Sequence, residues 1–422
     1  MKSLTRFLAL AIASSGLFFS FACGGGSSTS SSSSSSNGNS NVPVANTVQI
    51  TAGSGPSTAN PYTNGVFVSV TVCVPGSTSQ CATVPDVLLD TGSSGLRVLS
   101  SALGNVPLAN LTSGGATLAN CTQYVDLTYN WGPVALADVK MAGETANSIP
   151  IEIIADPASS FPAAPFSCSN GGVANNTVDT LSANGILGIG SYIYDCGSAC
   201  APGTTSNGGV YYSCAGASCQ VTTTALANQV QNPVAMFSSD NNGISITFPA
   251  LADAGAPSAT GTLTFGIGTQ TDNPLGSVVV QTPDNYGNFT TVFNGVSYSS
   301  SFIDSGSNAL YFLSSRVTGI PGCQLSQGFY CPAATERLSA TNVGTNNQSI
   351  NVSFKVANAD NLPHPNSVFD DLAGTTSNAG SAGNGLPSLY FDWGLPFFFG
   401  RTVFVAIEGR STTGGSGPYW AY

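Results

Sequence analysis

One short pattern occurs twice in this chain and constrains its fold more than any other feature. From Val87 the sequence reads VLLDTGSSGLRVLS, and from Ser301 it reads SFIDSGSNALYFLS. Aligned on Asp90 and Asp304, both give apolar residues, Asp, Thr or Ser, Gly and Ser, then a polar residue, a small one and Leu. One Asp-Thr/Ser-Gly-Ser would mean little in a chain this rich in Ser and Gly. Two copies with matching apolar flanks, one in each half, point to a duplicated turn at the end of a buried strand.

Each position in the pattern has a physical use. The strands before Asp90 and Asp304 carry the carboxyls to sites screened from water. Gly92 and Gly306 allow a sharp turn and a close approach to a facing loop. The hydroxyls of Thr91 and Ser305 can bond across to the opposing turn, while Ser93 and Ser307 can donate to the outer carboxylate oxygens. Two such turns meeting on a pseudo-twofold axis would bring the carboxyls together. Like charges that close cannot both ionise cheaply, so the pair would share a proton. One carboxylate could then deprotonate a water attacking a carbonyl while the other carboxyl protonates the carbonyl oxygen.

Composition narrows the alternatives. The chain holds 9 Lys and Arg against 20 Asp and Glu, a net charge of −11, and a single histidine, His364. Nine basic residues cannot furnish a phosphate-neutralising surface, so no nucleic-acid partner is expected. One histidine rules out a zinc site built of several imidazoles and leaves carboxylates as the abundant reactive side chains. No cofactor and no metal are expected, and His364, between prolines, is given no role.

The rest of the chain reads as strands. Short runs rich in Val, Ile, Thr and Phe, such as residues 66–74, 84–89, 149–154, 244–248, 263–267 and 402–407, are separated by Gly, Pro, Asn and Ser. Residues 1–22 have the basic start and apolar stretch of a signal peptide. Residues 20–23, Ser-Phe-Ala-Cys, resemble a bacterial lipoprotein processing box with Cys23 as the acylated residue. The Ser-rich stretch after it, within residues 23–43, is expected to be a tether. Two β domains follow, at residues 44–232 and 233–422, with the boundary near residues 229–233. Eleven cysteines less Cys23 leave an even number in an exported chain, hence up to five disulfides. Cys73 with Cys81 and Cys323 with Cys331 are the readiest pairs, and Cys121 can join Cys168. The pairing among Cys196, Cys200, Cys214 and Cys219 stays open.

At this point the sequence resembles the pepsin-like aspartic peptidases, with VLLDTGSSGLRV and SFIDSGSNALYF similar to that family's two active-site loops. The resemblance implies an all-β, bilobal fold of two pseudo-symmetric β lobes with the active-site cleft between them. NGILGIG (residues 184–190) is similar to the segment threaded behind the first active-site turn. LTFGIG (263–268) resembles the strand opening the second lobe, and residues 394–410 the late pair of strands completing it. LTYNWGPVALADVKMAG (127–143) resembles the flap hairpin, with Tyr129 at the flap tyrosine and Trp131 as the other residue able to cover substrate. The family usually has an aromatic where this chain has Arg97. No basic prosegment is visible, since no Lys or Arg lies between Arg6 and Arg97.

The resulting expectation is an exported aspartic endopeptidase with Asp90 and Asp304 as its catalytic pair. Its partners would be a protein or peptide substrate and, through the lipid on Cys23, the cell envelope. A monomer is expected. The alternative is a surface lipoprotein on the same fold that binds a peptide or glycan without cutting it.

Overall fold

The computed structural model describes residues 46–57, 61–204, 209–376 and 390–422. The signal sequence, Cys23 and the Ser-rich tether lie outside them. Strands dominate the described residues. The α-helices there are single turns of four residues, such as Ser100–Leu103 and Ser315–Thr318. Frequent Gly, Pro and Asn cut the apolar runs too short for longer helices, and the β-branched content favours the pleated sheet.

Most strands join one of two sheets, a large one of eighteen and a second of seven. The large sheet crosses between the two halves of the sequence. Strand Thr47–Gly53 pairs antiparallel with Ala259–Phe265 on one side and with Gly65–Cys73 on the other. The LTFGIG run therefore lies in this shared sheet beside the first described strand rather than in the seven-stranded one. Strand Thr402–Ala406 joins the shared sheet too, between Gly243–Thr247 and Tyr419–Ala421. Residues 394–410 thus supply a 3-10 turn, Leu395–Phe398, and one strand rather than the expected pair. The segment expected to divide the halves carries the 3-10 turns Leu226–Asn228 and Val234–Met236.

Both Asp motifs are built alike. Strand Cys81–Asp90 leads into the first turn and Ser94–Leu99 leads out. Strand Gly185–Ile189 lies between these arms, parallel to the first (Leu187 opposite Leu89) and antiparallel to the second (Leu187 opposite Leu96). In the second half, Val296–Ile303 leads in and Leu310–Phe312 leads out. Asp392–Trp393 lies between them, parallel to the first (Trp393 opposite Ile303) and antiparallel to the second (Trp393 opposite Leu310). Gly188 and Gly394 occupy matching places where a side chain has no room. An added Cβ would fall 2.7 Å from Ser93 Oγ in one case and 2.1 Å from Ala309 O in the other.

The two turns rest on differently composed parts of one core. Aliphatic residues such as Val87, Leu89, Val98, Leu187 and Ile151 support the first. Rings support the second: Phe391 stacks on Phe312 at 5.2 Å and on Trp393 at 5.6 Å, and Phe354 meets Trp393 edge-on at 5.5 Å.

Ten cysteines form five disulfides: Cys73–Cys81, Cys121–Cys168, Cys196–Cys200, Cys214–Cys219 and Cys323–Cys331. The two close pairs form, Cys121 joins Cys168 as allowed for, and the four cysteines left open pair with their nearest neighbours in sequence.

Candidate active site

Asp90 and Asp304 are both 1% exposed, each at the end of its strand. The turns that hold them interlock. The backbone N–H of Thr91 donates to Ser305 Oγ and that of Ser305 donates to Thr91 Oγ1, both at 3.0 Å. Ser305 Oγ in turn donates to Leu89 O at 2.8 Å, and Thr91 Oγ1 reaches Ile303 O at 3.4 Å. Each turn thereby fixes the other through four bonds between residues more than two hundred positions apart.

Within each turn the carboxylate is held the same way. Gly92 N–H donates to Asp90 Oδ1 and Gly306 N–H to Asp304 Oδ1, both at 2.9 Å. Ser93 Oγ donates to Asp90 Oδ2, and Ser307 Oγ lies 3.0 Å from Asp304 Oδ2. Gly306 also shows how close the carboxyls come. A Cβ there would sit 2.9 Å from Asp90 Oδ1 and 3.2 Å from Asp304 Oδ1, which caps the separation of those oxygens at the sum of the two distances. Oxygens within about 5 Å of each other can share one water that makes a hydrogen bond of about 3 Å to each.

A third carboxylate stands behind the second. Ser307 Oγ also lies 2.7 Å from Asp392 Oδ2, and Asp392 is 1% exposed. Asp392 holds the register position that Ile186 holds in the first half. The sequence reading passed over it because the threading strand, Phe391-Asp392-Trp393-Gly394, breaks the apolar-apolar-Gly pattern with a charge. The Gly394 that follows it, matching Gly188, was the available signal. Asn64 was missed as well. Its Nδ2 donates to Asn308 O and Phe369 O, both at 2.9 Å, and Phe369 N–H donates to its Oδ1 at 2.7 Å, tying the first half to the second turn.

Arg97 sits where the second turn has Tyr311, and the structure gives it a buried role. It is 2% exposed and its Nη1 donates to Ser94 O at 2.9 Å, bracing the outgoing arm of the first turn. Its Nη2 meets Asp195 Oδ2 at 3.2 Å, and its Nε donates to Thr122 Oγ1 at 2.8 Å. Glu152 Oε2 is 3.1 Å from Nε without a hydrogen bond, because that N–H is already directed at Thr122. Asp195 carries the negative charge of the group. Asn120 Nδ2 donates to it at 2.8 Å and Tyr211 O–H at 2.5 Å. Burial raises the Asp195 pKa against those bonds, and raises that of Glu152 further, to about 8, despite Arg97. Burial alone would lower the Arg97 pKa, but Asp195 and its other neighbours raise it and keep the guanidinium charged.

Stability depends on pH through this group. Glu152 is protonated in the folded protein up to about pH 8 but has an ordinary value of 4.5 in an open chain. Between those limits the folded state binds the extra proton, so stability falls as pH rises. We expect urea unfolding to show a loss on the order of 3 kcal/mol from pH 5 to pH 8. Glu152→Gln should flatten that slope, and an unchanged slope in the variant would count against it.

The flap expectation needs correction. Within residues 127–143 the chain is one strand, Thr128–Met141, with hairpin turns at its two ends rather than in its middle. The strand is an arm of two hairpins instead, pairing with Ala116–Gln123 through a turn at residues 124–127 and with Glu144–Ile154 through a turn at residues 142–143. Trp131 is 5% exposed and packs edge-on against Tyr212 at 5.1 Å, donating its indole N–H to Pro162 O at 2.7 Å. Tyr129 packs against the same cluster around Cys121 and Cys168. Both are held as packing residues. Tyr124, in the turn, is buried, and Asn130 Nδ2 donates to its hydroxyl at 2.8 Å. Burial raises its pKa, and Asp90 is among the charges acting on it.

Among the described residues, the grouping of possible metal ligands is Cys323, Cys331 and Asp360. Its sulfurs are joined in a disulfide, and Asp360 accepts from the backbone N–H groups of Gln324, Leu325 and Ser326. That chemistry does not suit a metal.

No curated protein matches the chain in sequence. Among solved structures, the aspartic proteinase from Irpex lacteus is similar at 14% identity with a TM-score of 0.46, over 89% of this chain and 96% of that one. The model of a protein family described as "Protein of unknown function (DUF3443)" matches residues 42–422, and the chain belongs to that family.

Proposed function

We propose that the chain is an exported aspartic endopeptidase that hydrolyses peptide bonds with a water held between Asp90 and Asp304. The observation that supports this best is the reciprocal bonding of Thr91 and Ser305, which holds two buried carboxyls against one another. The carboxylate of the pair takes a proton from the water as its oxygen attacks the scissile carbonyl carbon. The protonated partner gives its proton to the carbonyl oxygen. Collapse of the tetrahedral intermediate returns a proton to the first carboxyl's partner, passes the other to the leaving nitrogen and breaks the C–N bond. The apparent pKa values belong to the pair, so neither aspartate is assigned one role. Five disulfides and the apolar N-terminal segment support export, and Cys23 supports a lipid tether to the cell envelope. The lobes of this reading are residues 44–232 and 233–422.

The test is cleavage of a denatured protein substrate between pH 3 and pH 7. Because the mechanism needs one shared proton, cleavage should be strongest on the acid side and decline toward neutrality as the pair loses it. A folded protein that cuts nothing at any of these pH values would overturn the reading.

A further inference from the structure

A cavity of about 690 Å³ lies against the back of the second Asp turn, away from both catalytic candidates. Its apolar wall includes Leu338, Val352, Phe354, Trp393 and Phe399. Trp393 links it to the turn, since the carbonyl of Trp393 accepts from Asp304 N–H at 3.0 Å. The distribution of charge is unusual. The whole chain has only nine Lys and Arg, and three of them, Arg337, Lys355 and Arg401, line this one cavity.

Two of those cations are balanced. Lys355 Nζ meets Asp253 at 3.0 Å and Asp370 at 2.9 Å, and Arg337 approaches Asp253 at 3.8 Å. Arg401 is different. Its Nη1 donates to Phe397 O at 2.6 Å and its Nη2 to Ser353 O at 3.3 Å, and its guanidinium lies 4.8 Å from the centre of the Phe397 ring. Among the described residues no carboxylate lies within ion-pair distance of it. Burial lowers its pKa, against the pull of Tyr422 and Asp370. A guanidinium has five N–H donors, so part of its fork is left for a planar anion. A half-buried cation costs desolvation that an acyl carboxylate entering the cavity would offset.

We propose that this cavity binds an anionic amphiphile, a carboxylate on an aliphatic or aromatic body, with Arg401 gripping the carboxylate and the half-buried Leu338 and Phe354, backed by Trp393, taking the apolar part. Arg337, at the exposed rim, attracts the anion.

Decanoate is the probe, compared with decan-1-ol, on the purified protein, with binding read from intrinsic tryptophan fluorescence and calorimetry. Decanoate should bind at a single site with a dissociation constant below about 1 mM, and decan-1-ol at least about tenfold more weakly. Arg401→Gln should weaken decanoate at least about tenfold and leave decan-1-ol unchanged. Arg337→Gln, at an exposed position that does not hold the fold, should weaken decanoate about two- to threefold and reduce its salt dependence. Equal binding of decanoate and decan-1-ol to the parent would overturn the proposal, and that comparison decides the matter even if Arg401→Gln fails to fold. Unchanged decanoate binding in a folded Arg401→Gln would overturn it too. Neither readout depends on peptide cleavage, so the outcome is separate from that of the peptidase reading.

Discussion

Asp90→Asn and Asp304→Asn should each reduce peptide cleavage by roughly a thousandfold or more, with the double variant hardly worse than either single one. The pair acts as a unit, so losing one carboxyl removes both the base that activates water and the proton the other must share. Folding should survive. Asn keeps the shape of Asp, its Oδ1 can still accept from Gly92 or Gly306, and the hydroxyls of Ser93 and Ser307 can turn from donor to acceptor. The interlocking Thr91 and Ser305 bonds do not involve the carboxyls at all. Near-ultraviolet circular dichroism and urea midpoints of the variants should therefore match the parent. A single variant that retained more than about a tenth of parental cleavage would exclude the shared-water mechanism.

The second large effect is on stability. Arg97→Met should destabilise the protein by about 3–5 kcal/mol, the cost of leaving a buried carboxylate without its counter-charge. Asp195 would keep Asn120 and Tyr211, and Glu152 would remain neutral in acid. The loss therefore comes from the Arg97–Asp195 pair and from the bracing bonds to Ser94 and Gly95. Urea unfolding at pH 5 measures it. If the variant unfolds within about 1 kcal/mol of the parent, the cluster contributes no net stability and Arg97 is retained for another reason.

The parts of this site that were legible in the sequence are those written in contiguous residues. Asp-Thr/Ser-Gly-Ser encodes a turn whose carboxylate is held by its own Gly N–H and Ser hydroxyl and whose Thr or Ser bonds to the turn's twin, so two copies suffice to anticipate Thr91, Ser305, Ser93 and Ser307. NGILGIG was readable for the same reason, being an apolar strand with a glycine at the point of closest approach. Asp392 was not, because a carboxylate in a buried strand contradicts the pattern used to find strands. Arg97 could be seen as a departure, but its partners Glu152 and Asp195 lie far along the chain and each looks like an ordinary surface acid. The placement of the hairpin turns at residues 124–127 and 142–143 also escaped, since an extended strand and a hairpin arm share one periodicity. Two disulfides, Cys73–Cys81 and Cys323–Cys331, followed from short loop length. The shared sheet did not, because pairing across two hundred residues leaves no local signal.

That shared sheet sets a condition on how the chain is made. The strand Thr47–Gly53 is among the first parts to emerge during synthesis, yet one of its edges has no partner until Ala259–Phe265 has followed it. For more than two hundred residues of growth it presents an open row of backbone donors and acceptors, the kind of edge that invites mispairing. Assembly of this protein is therefore a late event, slow by topology. Until Ala259–Phe265 is made, the first half of the chain cannot close its own sheet, and its folding waits on residues of the second half.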